Sequence, residues 1–133
     1  MFVMARNILF VCIENVCRSQ MAEGFARLYG REKVAVFSAG SQPAGEINPL
    51  AVEVMREKGI DISEKKPKSF SELSEKNFDV VVEMGCKDAC PYVPGKERIE
   101  WDIPDPKGQA LDEFRRVRDE IETRVKKLLE KIA

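Results

Sequence analysis

The chain has 133 residues, the length of one ordinary domain with a single core. Its 44% hydrophobic and 34% charged content is that of a soluble globular protein, and no apolar run is long enough to span a bilayer. A formal net charge of −1 gives no electrostatic basis for binding nucleic acid or a membrane surface.

The opening segment Met1–Arg6 is too short and wrongly flanked for a signal peptide, so a cytoplasmic location is expected. In that reducing compartment the four cysteines, Cys12, Cys17, Cys86 and Cys90, read as reactive or metal-binding rather than as structural disulfides. Histidine is absent, which removes Ser–His and Cys–His catalysis and every His-ligated metal site.

Ile8 to Val11 reads as a buried strand that feeds a loop, Ile13 to Cys17, framed by Cys12 and Arg18. A helix follows, with Met21, Ala22, Phe25, Ala26 and Tyr29 at the spacing of one face. Lys33–Gly40 is a second strand closing on a glycine turn, and Ser41–Glu46, with Pro43 and Gly45, is a loop. Asn48-Pro49 caps and opens a helix that runs through Leu50, Val54 and Met55 to a stop at Gly59. A polar connection, Ile60–Lys68, leads to a short helix expected over Ser69–Lys76, with Phe70 and Leu73 inward. Phe78–Met84 is the β-branched run of a buried parallel strand, and Gly85–Tyr92 is a loop. A short strand from Arg98 to Trp101 precedes the loop Asp102–Gly108. The last helix, Leu111 to Ile132, carries Phe114, Val117, Ile121, Val125, Leu128 and Ile132 on one stripe.

Strands alternate with helices throughout, which predicts an α/β domain over residues 1–133, a parallel sheet covered on both faces. Ligands of such sheets sit beyond the carboxyl ends of the strands. That rule gathers three loops at one edge: Cys12–Ser19, Gly85–Pro91 and Asp102–Gly108.

The first loop joins a strand to a helix N-terminus, where backbone N–H groups and the helix dipole favour an anion. Ile13, Glu14, Asn15, Val16, Cys17, Arg18 and Ser19 would form the oxyanion-binding loop, with Cys12 as the nucleophile beneath it. The surrounding amides and Arg18 favour its thiolate, Ser19 can hydrogen-bond the sulfur, and Arg18 offers a bidentate fork to oxyanion oxygens. Glu14 must point outward or it would repel the anion, whereas Asn15 tolerates the left-handed backbone of a tight loop. Asp105, fixed by Pro106, is the candidate proton donor to the departing oxygen, with Asp102 as competitor. Cys86 and Cys90 on a facing loop would turn a phosphatase-like attack into a redox cycle. A zinc site of Cys12, Cys17, Cys86 and Cys90, or an inert second cysteine pair, are the alternatives.

At these residues the sequence resembles the thioredoxin-coupled arsenate reductases of the low-molecular-weight protein-tyrosine-phosphatase superfamily. The likeness covers nearly the whole chain: Cys12–Gly24, Ser38–Gly40, Asn48-Pro49, Gly59–Ser63, Met84–Pro91 and Trp101–Pro106. It implies a four-stranded parallel sheet with flanking helices and a thiol relay. Cys12 would attack arsenate held by Arg18 and the loop amides, with Asp105 helping a hydroxyl leave as water. Cys86 would then attack the sulfur of the Cys12–arsenic adduct, releasing arsenite and leaving a Cys12–Cys86 disulfide. Cys90 would move that disulfide to Cys86–Cys90, where thioredoxin or a low-molecular-weight thiol reduces it. No bound cofactor or metal is expected, and the working unit is a monomer.

The chain departs from its relatives in three places. Cys86 and Cys90 are closer together than in other relays, and Glu83 replaces a common threonine. Lys107-Gly108 stand where tyrosine phosphatases carry aromatics. The alternative function is a low-molecular-weight phosphatase acting through a Cys12 phosphoenzyme. A non-enzymatic sensor binding arsenite or zinc through its cysteines is the third reading.

Overall fold

The computed structural model of the protein describes residues 5–85 and 95–132. Four strands, β1 (Arg6–Cys12), β2 (Val34–Gly40), β3 (Phe78–Met84) and β4 (Gly95–Trp101), form one sheet in the order β2-β1-β3-β4. Every adjacent pair is parallel. Helices α1 (Arg18–Gly30), α2 (Pro49–Arg56) and α3 (Leu111–Ile132) complete the architecture. The four-stranded parallel α/β sheet expected from the sequence is therefore present.

The two faces are covered unequally. Ile8, Phe10 and Cys12 of β1 pack with Val80, Val82 and Met84 of β3 against Met21, Phe25, Val54, Met55, Phe114 and Ile121 of the helices. The alternate β1 residues Leu9 and Val11 face the other way, onto Val81, Leu73, Phe37 and Phe70. This strict alternation follows from the period-two pleat, which separates the side chains of one strand between two cores. The β2-to-β3 connection puts α2 on the α1 side and then supplies Phe70 and Leu73 to the opposite one.

Three local expectations are corrected. The helix expected over Ser69–Lys76 is a single 3-10 turn, Phe70–Glu72, capped by a box in which Ser69 N–H donates to Glu72 Oε2 at 2.6 Å. It ends at Leu73, whose backbone is extended (φ −73°, ψ 134°), and further on the Glu75 carboxylate accepts from the N–H groups of Lys76 and Asn77 at 2.9 and 2.8 Å. Tyr29 does not lie on the buried stripe of α1; it is 40% exposed and its hydroxyl donates to Glu122 at 2.6 Å. The last strand begins three residues earlier than Arg98, at Gly95. As a sheet edge it alternates exposed Lys96, Arg98 and Glu100 with partly covered residues, so no apolar run marks it.

Capping at α2 follows the sequence: Asn48 Oδ1 accepts from Leu50 N–H at 2.9 Å and Pro49 occupies the first turn. Beyond it the chain turns at Gly59, with φ of +77°. Among the described residues, no helix is long and apolar enough to cross a membrane.

Candidate oxyanion site

Cys12 is the last residue of β1, and Arg18 is the first of α1. Residues 13–17 must therefore wrap the carboxyl end of the central strand within one short loop. Asn15 permits the bend by adopting φ of +58°. The loop packs so closely on β2 that a Cβ at Gly40 would lie 2.5 Å from Ile13 O and 3.0 Å from Asn15 N.

The loop turns its carbonyls outward. Ile13 O accepts from Gln42 N–H at 2.8 Å, Glu14 O from Ala44 N–H at 3.1 Å, and Val16 O from Asn48 N–H at 3.1 Å. Asn15 O accepts from the Gln20 side chain at 3.2 Å, and Cys17 O from Met21 N–H at 3.0 Å. With its carbonyls engaged from outside, the loop presents N–H groups to the space around the sulfur, and Asn15 N–H lies 3.3 Å from Cys12 Sγ. Helix α1 begins with no side-chain cap and no acidic residue in its first turn, so its dipole meets that space uncompensated.

A fully buried polar network sets the proton inventory at the sulfur. Lys68 N–H donates to Asn15 Oδ1 at 3.0 Å, which fixes which end of the amide is the oxygen. The Asn15 Nδ2 group then donates to Ser19 Oγ at 2.7 Å. Ser19, already an acceptor, has its own proton free to donate to Cys12 Sγ at 2.8 Å. Gln20 Nε2 donates to Asn15 Oδ1 at 3.0 Å and holds the network from behind. Cys12 Sγ thus receives hydrogen bonds from Ser19 and from Asn15 N–H and offers none.

Cys17, on the same loop, is a different thiol. Burial, reinforced by the charge of Asp105, pushes it up to about 12, so it stays protonated at neutral pH.

Arg18 is 5% exposed, and its Nη1 donates to Ile103 O at 2.9 Å. Its Nη2 lies 3.6 Å from Asp105 Oδ2. Gly85, at the end of β3, makes room for this guanidinium: a Cβ there would sit 2.3 Å from Arg18 Nη1. Its φ of +79° also suits glycine alone. Asp105 accepts from Lys107 N–H at 3.0 Å through Oδ1, while Asp102 is exposed and Trp101 and Ile103 beside it are buried. Glu14, whose side chain is 29% exposed, is held by Lys107 Nζ at 2.6 and 2.8 Å, an attachment that pushes the lysine above its ordinary value.

Two of the three loops expected at this edge therefore meet. The third contributes Gly85, while Cys86 and Cys90 lie outside the described residues. Among the described residues, no group of His, Cys, Asp and Glu could hold a metal ion. Gln20, Gly85, the Ile103 carbonyl and the Glu14–Lys107 pair were not singled out by sequence reasoning. Only Gly85 carried a signal, a glycine directly after a β-branched strand.

A buried thiol, a loop N–H lying against its sulfur and a buried guanidinium meet at one strand–helix junction. Residues 7–133 match the model of the low molecular weight phosphotyrosine protein phosphatase family, and the chain belongs to that family. Within it, the chain is 39% identical over 131 residues to the glutaredoxin arsenate reductase of Synechocystis sp., covering 96% of this chain and 99% of the relative. A solved structure described as an arsenate reductase in the phosphate binding state superposes with a TM-score of 0.85 at 37% identity, over 96% of this chain and 99% of that one. The thioredoxin-dependent arsenate reductase of Corynebacterium glutamicum gives a TM-score of 0.80 at 35% identity, over 96% of this chain and 62% of that one.

Proposed function

We propose that the protein is an arsenate reductase that converts arsenate to arsenite with electrons from its own thiols. The observation that carries this reading is end-to-end similarity at about 40% identity to relatives named arsenate reductase. The placement of Cys12, Arg18 and Asp105 supports an opening step of this kind. Cys12 thiolate attacks arsenic while Arg18 and the loop amides hold the equatorial oxygens, and Asp105 protonates the oxygen opposite the sulfur, which leaves as water.

Cys86 thiolate then attacks Cys12 Sγ. A sulfur–sulfur bond forms, the sulfur–arsenic bond breaks, and its electron pair stays on arsenic, giving As(III) arsenite. Cys90 attacks Cys86 next, freeing Cys12 and leaving a Cys86–Cys90 disulfide for an external dithiol of the thioredoxin or glutaredoxin kind. Nothing in the scheme needs a bound cofactor or metal. Every group used up to arsenite release belongs to one chain, so a monomer suffices for that half of the cycle.

A phosphatase reading shares the first attack and is favoured by the family description alone. Arsenite formation with a thioredoxin system separates the two. The wild type is expected to turn over, Cys12→Ser to lose at least about 10³-fold, and Asp105→Asn about 10²-fold. Aryl phosphate hydrolysis without arsenite formation would reject the reductase reading.

A further inference from the structure

We propose that Glu14 and Lys107 form a clasp over the approach to Cys12 that favours small inorganic oxyanions over organic monoesters. The inference rests on the oxyanion attack described above and specifies which ligands that site accepts.

Glu14 is the second residue after the nucleophile, and Lys107 stands two residues beyond Asp105. The lysine ammonium grips both oxygens of the Glu14 carboxylate, at 2.6 and 2.8 Å, and so ties together loops 93 residues apart in sequence. The same lysine donates its backbone N–H to Asp105 Oδ1 at 3.0 Å, and Asp105 Oδ2 faces Arg18 Nη2 at 3.6 Å. Arg18, Asp105, Lys107 and Glu14 therefore close a ring through the backbone of residues 14–18. Cys12, at the base of that loop, is 3% exposed.

In-line displacement decides what this ring excludes. The leaving oxygen lies opposite the attacking sulfur and next to its proton donor, which places it on the Asp105 side. In arsenate or phosphate that oxygen carries only hydrogen. In a monoester it carries carbon, and the organic group must extend past Asp105 toward the Glu14–Lys107 bridge. The bridge also cancels a carboxylate that would otherwise repel any anion entering the loop. Both effects come from side chains that are partly exposed, 29% for Glu14 and 54% for Lys107, and neither belongs to the buried core.

The test compares orthophosphate with phenylphosphonate, a non-hydrolysable anion with one organic substituent, by calorimetric binding to the reduced full chain. The quantity read is the ratio of their dissociation constants, whatever happens to each constant alone. The wild type is expected to prefer orthophosphate, and the preference to fall about tenfold in the double variant E14A/K107A. The charge-swapped variant E14K/K107E rebuilds the bridge in the opposite sense and is expected to restore the preference. A ratio unchanged in E14A/K107A, or a parallel loss of both ligands, would overturn the proposal by assigning the pair a merely structural role. A swap that fails to restore the ratio would do the same. Because binding is read without turnover, a wild type that binds orthophosphate but makes no arsenite sinks the reductase reading and leaves the clasp testable. Absence of orthophosphate binding would overturn both.

Discussion

Two thiols on one short loop are given opposite chemistry by their surroundings. Cys12 Sγ accepts from Ser19 and from Asn15 N–H, whereas Cys17 is enclosed by apolar surface and meets the negative charge of Asp105. Burial raises Cys17 to about 12, which leaves a negligible thiolate fraction at neutral pH. Iodoacetamide at pH 8 is accordingly expected to carboxymethylate Cys12 and spare Cys17, with orthophosphate protecting Cys12. Peptide mass mapping reads the outcome directly. Modification of Cys17 at a comparable rate would refute the assignment of the two thiols. Asn15 deserves equal weight at this scale: its amide orientation, set by Lys68 N–H, is what makes Ser19 a donor to sulfur.

Among the elements, α2 and α3 are joined by charge at the surface above their apolar contact. Glu57, one residue past the end of α2, receives Arg115 at 2.8 Å and Arg118 at 2.6 Å, both from α3. Hydrogen bonds from these two guanidinium groups pull its carboxyl down from 4.5 to about 2. A carboxylate whose folded value is depressed stabilises the fold above its unfolded value, and that contribution disappears as pH falls through the folded value. The difference in thermal midpoint between wild type and Glu57→Gln should hold steady at neutral pH and close as pH drops from 4.5 toward about 2. A difference that persists unchanged at the acid end would contradict the pairing.

The elements also mark where the sequence was readable. Ile8–Val11 and Val80–Val82 announce themselves because the centres of strands buried on both faces are continuously apolar. Only the second half of the strand Gly95–Trp101 was legible, because an edge strand carries charge on its outer side. The 3-10 turn at Phe70–Glu72 reads as a longer helix because its two apolar anchors, Phe70 and Leu73, have helical spacing, while the extended backbone of Leu73 that ends it leaves no periodic trace.

Across the whole molecule, the legible part of the site is the part that lies within one segment. Cys12, Arg18 and Ser19 fall on a single strand–loop–helix junction, and their chemistry follows from residue type and order. Whatever depends on distant segments meeting was hidden: Gly85 beneath the Arg18 guanidinium, Ile103 O on its Nη1, and Lys107 on Glu14. Asp105 was preferred to Asp102 on the proline that follows it, and the fold sets its Oδ2 3.6 Å from Arg18 Nη2. The topology accounts for this convergence, since β1, β3 and β4 are parallel neighbours and their carboxyl ends open on the same edge.

We propose that the loop supplies only the opening attack and that further thiols of the same chain complete the reduction. This central claim is tested most directly by adding one equivalent of arsenate to the fully reduced protein without any external reductant and mapping disulfides by peptide mass. The expected result is one arsenite released per chain, Cys12 returned to a free thiol, and a Cys86–Cys90 disulfide. Full retention of free thiols with arsenate recovered unchanged would contradict the account.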